Sequence, residues 1–188
     1  MQDLALFPLN TVLFPGGRLP LRIFEQRYLE MAKGCLKDGT PFGVCLIREG
    51  SEVGKPAIPA DVGTLARLAE WDMPQLGLLQ VVARGEQRFR ILERRTQADG
   101  LARARVELLP EETDAPVAEA CQRCARLLER LIEQQPSLFD APHRLDSSAW
   151  VSSRLAELLP LPLPEKQALL ELADAAERLA HLNGLLAR

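Results

Sequence analysis

The stretch Leu6–Tyr28 reads LFPLNTVLFPGGRLPLRIFEQRY, and its changes of rhythm set the architecture. Leu4 to Leu9 and Val12 to Phe14 are short apolar runs, interrupted by Pro8 and closed by the turn Pro15-Gly16-Gly17. Leu19, Leu21 and Ile23 then alternate with Pro20 and Arg22, the period of a strand with one buried face. From Phe24 the period lengthens. Phe24, Tyr28, Met31, Ala32 and Cys35 fall on one face of an amphipathic helix, and Asp38-Gly39 ends it. The chain therefore opens as strands and turns with one helix inserted.

The strands continue beyond it. Phe42 to Ile47 (FGVCLI) is apolar on both faces, as in a strand buried inside a sheet. Arg48 to Asp61 holds two glycines and two prolines and reads as a surface loop. Val62 to Glu70 and Leu78 to Ala83 read as strands joined by a turn containing Pro74 and Gly77; after Gly85 come Gln87 to Arg95 and, past Ala98-Asp99-Gly100, Leu101 to Leu109. About seven short strands at this spacing predict a small, partly closed barrel.

After residue 110 the pattern turns helical. A helix is expected from Pro116, with Val117, Cys121, Cys124, Leu128 and Leu131 as its apolar stripe, ending at Gln135-Pro136. A second runs from about Ser147 to Leu159, with Trp150 as a core residue beside Val151, Leu155 and Leu158. Leu161-Pro162-Leu163-Pro164 is a corner, and one last helix runs nearly to the end. The expected architecture is α+β, residues 1–110 β-rich and residues 111–188 helical and packed against them.

Composition narrows the function classes. Of the 188 residues, 47% are hydrophobic and 26% charged, a globular mix. Residues 1–110 hold 15 Lys and Arg against 13 Asp and Glu; residues 111–188 hold 8 against 13. Neither part has the basic excess of a protein that binds nucleic acid through phosphates, which makes such a partner unexpected. The N-terminus carries Asp3 and no early Lys or Arg, unlike a signal peptide, and no apolar run is long enough for a membrane span. Four cysteines in a chain of this size do not make a disulfide scaffold, and a cytoplasmic setting is expected.

The motifs of catalysis are near misses. Gly50-Ser51-Glu52-Val53-Gly54-Lys55-Pro56 resembles a phosphate loop but is one residue short between its glycines, with proline where Ser or Thr should meet magnesium. Cys121 and Cys124 have metal-ligand spacing, yet both continue the apolar stripe of their helix, where free cysteine packs as a small hydrophobe. His143, Asp146 and Ser147 are close in sequence, but triad members are brought together by folding, and Asp146 and Ser147 read as helix caps. No enzyme activity, cofactor or metal is expected.

Two features fit binding. Arg88 and Arg90 alternate with Phe89 and Ile91, and Arg103 and Arg105 with Ala104 and Val106, so a suitable register puts four arginines on one sheet face. That face is either solvated, among Glu86, Glu93 and Glu107, or a docking strip for acidic surfaces. Trp71, Met73 and Leu76 crowd a turn, where large apolar groups are hard to bury and often mark a binding surface.

Leu6–Tyr28, Phe42–Ile47, Glu52–Gly54 (EVG), Val62–Leu68 (VGTLARL) and Gly85–Ile91 (GEQRFRI) together resemble the substrate-binding N-terminal domain of Lon proteases. The similarity resumes at Trp150–Leu161 (WVSSRLAELLPL), Lys166–Leu172 (KQALLEL) and Glu177–Leu182 (ERLAHL); residues 111–149 match least, and Pro74-Gln75-Leu76-Gly77 stands where the family often has Asp-Gly. The resemblance implies a PUA-like β pseudo-barrel followed by a C-terminal helical bundle. It also implies recognition of unfolded or client polypeptides, in company with a protease or chaperone, by a stand-alone bacterial version of the domain. Because PUA-like folds also serve RNA, RNA binding is the alternative. Candidate polypeptide-binding residues are Trp71, Met73, Arg88, Arg90, Arg103 and Arg105.

Overall fold

The structure, a computed structural model, describes residues 2–54 and 57–187 and divides into two compact units at Pro110/Glu111. Among the described residues the first unit holds seven strands and one helix: β1 (Gln2–Leu9), β2 (Arg18–Ile23), α1 (Gln26–Asp38), β3 (Phe42–Glu49), β4 (Ile58–Pro59), β5 (Val62–Gln75), β6 (Leu78–Thr96) and β7 (Ala102–Leu108). Pairing runs β1–β7–β6–β5–β3, and a parallel β1–β3 ladder returns to the start, so five strands form a ring. β2 pairs with β6 and β4 with β3 outside that ring. The result is a mixed sheet closed on itself, not a regular barrel.

Two apolar layers explain the unbroken runs. Leu4 and Leu6 of β1 point into the ring with Cys45, Leu65, Phe89, Ala104 and Val106. Ala5, Phe7 and Leu9 face the other way, onto Tyr28, Met31 and Ala32 of α1 and onto Phe42 and Val44. Both faces of β1 are buried, so no alternation survives in its sequence. The ring interior is narrow. A Cβ added to Gly43 would lie 2.7 Å from the Phe89 ring, and one added to Gly63 2.5 Å from the Val44 carbonyl and 2.8 Å from the same ring. These two glycines make the room that Phe89 fills.

Several boundaries differ from the sequence expectation. β6 is one strand of 19 residues, not two, because Gly85 lies inside it against the Pro15–Gly17 turn: Gly16 N–H donates to the Gly85 carbonyl, and Gly85 N–H to Gly17. Phe24 precedes α1 and is exposed. Its expected place on the buried helix face is taken by Leu29, alongside Tyr28 and Met31. Gly39 caps α1 at φ 64°, as Asp38-Gly39 implied. The phosphate-loop-like segment is an open loop after β3, of which Lys55 and Pro56 lie outside the described residues.

The second unit holds α2 (Gln122–Gln134), α3 (Ser148–Leu158), α4 (Leu163–Glu171) and α5 (Ala175–Leu185), with single 3₁₀ turns at Glu119–Cys121 and Pro136–Leu138. Regular α-helix thus begins at Gln122, not Pro116. The expected last helix is two, split where Asp174 caps α5 by accepting from the N–H groups of Ala176 and Glu177. Ser147 caps α3, accepting from Trp150 N–H at 3.0 Å. Trp150 is only half-buried, 5.9 Å from the His143 ring, and Leu158 is exposed. The buried face of α3 is instead Val151, Leu155 and Ala156 together with Ser152 and Ser153. Those hydroxyls receive Arg178 of α5, which is fully buried: its Nε donates to Ser152 Oγ at 2.9 Å and its guanidinium to both Glu112 oxygens at 2.5 and 2.7 Å. Among the described residues no helix is long and apolar enough to cross a membrane.

Two stability predictions follow from the packing. Gly43→Ala should destabilise the protein by about 1–3 kcal/mol through overpacking. Phe89→Leu in the same chain should return part of that loss, since the two sites share one space; urea midpoints of the two single variants and the double measure this, and strict additivity contradicts it. Glu112→Ala should cost about 3–5 kcal/mol, because it strands a buried guanidinium. The double change Glu112→Leu with Arg178→Met should cost less than Glu112→Ala alone, as read from thermal melts.

Candidate functional site

The arginine strip is assembled by the β6–β7 ladder and interrupted by a bulge. Arg90 lies opposite Glu107 and Ile91 opposite Val106; Leu92 is then extra, and Glu93 falls opposite Arg105 and Arg95 opposite Arg103. Arg90, Arg95, Arg103 and Arg105 consequently share the outer face with Glu93 and Glu107. Arg88 has the register of that face but is buried, only 4% exposed, and presents no charge to solvent. The other arginines are largely answered. Arg105 pairs with Glu93 at 3.2 Å. Arg95 and Arg103 both grip Asp3, each at 2.7 Å. The hydrogen bond from Arg95, with further help from Arg103, holds the Asp3 carboxyl below its ordinary range despite an opposing effect of burial. A depression of about 520 Å³ sits here, with Asp3 and Glu93 among its walls as well as Arg94 and Arg105. Alternating charge makes this a neutralised face rather than a cationic strip.

The second feature is more exposed than a turn would make it. β5 stays extended through Gln75, and the reversal is confined to Leu76 and Gly77, the latter at φ 83°. The β5–β6 hairpin thus carries Trp71 and Met73 on a strand. Trp71 is 61% exposed, Met73 40% and Leu76 97%. Register puts Trp71 beside Val81 and Asp72 beside Gln80, with β2 next in line. A groove of about 610 Å³ opens here, walled by Trp71 and Asp72 of β5, Val82 of β6, and Pro20 and Arg22 of β2.

Sequence reasoning missed Phe24 and Val53, both exposed apolar residues of this unit. A signal for Phe24 existed. Leu19, Leu21 and Ile23 take the core side of β2, so Pro20, Arg22 and Phe24 have the outward parity.

Among the described residues no group of three or more His, Cys, Asp or Glu could hold a metal ion. All four cysteines are free and buried. Burial pushes the Cys45 and Cys35 thiols up, and the Cys124 thiol to about 11. Ser147, close to His143 in sequence, donates to the Asp114 carboxylate at 2.7 Å.

The model of the ATP-dependent protease La (LON) substrate-binding domain family matches residues 3–188. The chain is 31% identical to "Lon protease 2" of Myxococcus xanthus, covering all of this chain but 24% of that protein. It is 33% identical to "Protein cereblon" of Xenopus tropicalis over 58% of this chain and 24% of that one. The chain thus spans about a quarter of the length of these relatives. Among solved structures, the "Lon N-terminal domain protein from Xanthomonas campestris" superposes with a TM-score of 0.81 at 36% identity, covering 97% of each chain. The N-terminal domain of Mycobacterium avium complex Lon protease shares the fold at 18% identity, with a TM-score of 0.68. A closed mixed sheet followed by a helical unit, matched along almost its whole length, makes this chain a member of the Lon substrate-binding domain family.

Proposed function

We propose that this protein binds unfolded or client polypeptides in the cytoplasm, presents them to a protease or chaperone, and carries no chemistry of its own. The observation that supports this reading is the apolar hairpin: Trp71, Met73 and Leu76 stand in solvent on a paired strand and its turn. Side chains of that size exposed together favour a partner that is itself apolar. Tryptophan joins a large contact area to an N–H donor and is often found carrying binding energy. Membership of a substrate-binding family favours polypeptide as that partner. The arginine face contributes less, because Asp3 and Glu93 already hold its guanidiniums. The same neutralisation disfavours RNA, whose phosphates need uncompensated cations.

The absence of a nucleophile is testable through the thiols. Burial raises the Cys35, Cys45 and Cys124 pKa values, so at neutral pH these side chains remain protonated and unreactive. A disulfide reagent should modify the folded chain at least ~10-fold more slowly than the denatured chain. One cysteine reacting faster in the folded than in the unfolded chain would reveal an activated thiol. Binding itself should be weak and only modestly salt-dependent, because an apolar anchor is not screened. In a titration with a permanently unfolded test polypeptide, Trp71→Ala should lose more affinity than Arg90→Ala. The reverse order, with steep salt dependence, would move the site to the arginine face.

A further inference from the structure

The exposed apolar surface of the first unit does not end at the hairpin. Phe24 is 58% exposed and Val53 56%, and both line a cleft of about 160 Å³. Phe7 and Tyr28 line the same cleft, stacked with ring centroids 4.0 Å apart. Pro20, Leu21 and Arg22 of β2 line this cleft and also the groove beside Trp71. The two depressions thus border the same strand, β2, and are taken together as one track with apolar side chains at both ends.

The backbone along this track is an edge. Among the described residues β2 pairs with β6 alone. Pro20 lacks an N–H, which blunts promiscuous edge-to-edge pairing and leaves binding to depend on side chains. The charges are ordered as well. Glu70 is answered by Arg18 at 2.9 Å and Glu25 by Arg27 at 3.0 Å. Glu52, in the Phe24 cleft, and Asp72, in the Trp71 groove, have no salt bridge among the described residues; Glu52 accepts only the Asn10 N–H, at 2.6 Å. One unanswered carboxylate thus stands towards each end, and Arg22 lies between them.

From this arrangement, and resting on the polypeptide-binding reading above, we infer that the track selects extended apolar segments bearing Lys or Arg on both flanks. An apolar centre lies along β2 at Pro20, against Phe24 and Trp71. The flanking cations meet Glu52 and Asp72, while Arg22 disfavours a cation in the middle. This preference is opposite in sign to the one a cationic arginine strip would impose.

The test compares two labelled peptides of identical apolar centre, one with lysines and one with glutamates on both flanks, titrated with the full chain at low ionic strength. The lysine-flanked peptide should bind about tenfold more tightly, and the difference should shrink at high salt. Glu52→Gln with Asp72→Asn, both on exposed residues, should abolish the discrimination. Phe24→Ala should weaken both peptides without changing their ratio. Equal binding of the two peptides, a preference for glutamate flanks, or indifference to Phe24→Ala would overturn the inference. If unfolded test polypeptide still binds through Trp71 in that event, the polypeptide-binding reading stands and only the track fails. If no polypeptide of any kind binds, both fail.

Discussion

The Phe89 ring, packed inside the closed sheet where Gly43 and Gly63 leave no room for a side chain, is the constraint on which the first unit depends. Gly43 and Gly63 leave their Cβ positions empty for that ring, so β3, β5 and β6 approach one another closely. Packing of this kind fixes register, since a one-residue slip of β6 would turn Arg88 or Arg90 into the interior. With β6 locked, its 19 residues serve two neighbours in succession: β2 along Leu79–Arg84 and β7 along Phe89–Thr96. The groove lies on the first stretch and the arginine face on the second. Both candidate surfaces are consequences of one strand's register.

The outward features follow from the same geometry. The β5–β6 hairpin carries Trp71 and Met73 largely in solvent. The bulge at Leu92 swings Glu93 and Arg95 onto the face of Arg103 and Arg105, where Asp3 and Glu93 neutralise it. Charge that looks like a patch in sequence is thereby consumed by local pairing. Such exposed pairs contribute little to stability, but they remove the long-range attraction an arginine strip would exert on acidic partners. The second unit uses another device, a fully buried Arg178 held by Glu112 and two serine hydroxyls. Buried ionic groups of this sort are costly to break by removing one partner.

Much of this was legible in the sequence, and the exceptions have physical causes. The order of strands and helix, the turn at Pro15-Gly16-Gly17, the cap at Gly39 and the burial of both faces at FGVCLI were carried by period and turn chemistry, which are local. Phe24 was misassigned because helical and strand periods overlap at their junction. Trp150 was expected in the core because hydrophobicity alone cannot say which face of α3 is buried; the decisive residues there are Ser152 and Ser153, whose burial makes sense only once Arg178 arrives from α5. Whether the arginines were free depended on Asp3, about a hundred residues away in the chain, and on a bulge that no periodicity signals. The apolar hairpin was visible as composition, but the track beyond it needed β2, the loop holding Val53 and β5 to be brought together by folding.

The central claim is that polypeptide is held on the β2–hairpin side of the first unit, not on its arginine face or on the helical unit. Amide chemical-shift mapping of the full chain, with a permanently unfolded test polypeptide added in steps, locates the contact directly. The account predicts shifts concentrated at Pro20–Phe24 and its neighbours, Ser51–Val53 and Glu70–Leu78. Shifts centred instead on Arg90, Arg103 and Arg105, or confined to residues beyond 111, would contradict it.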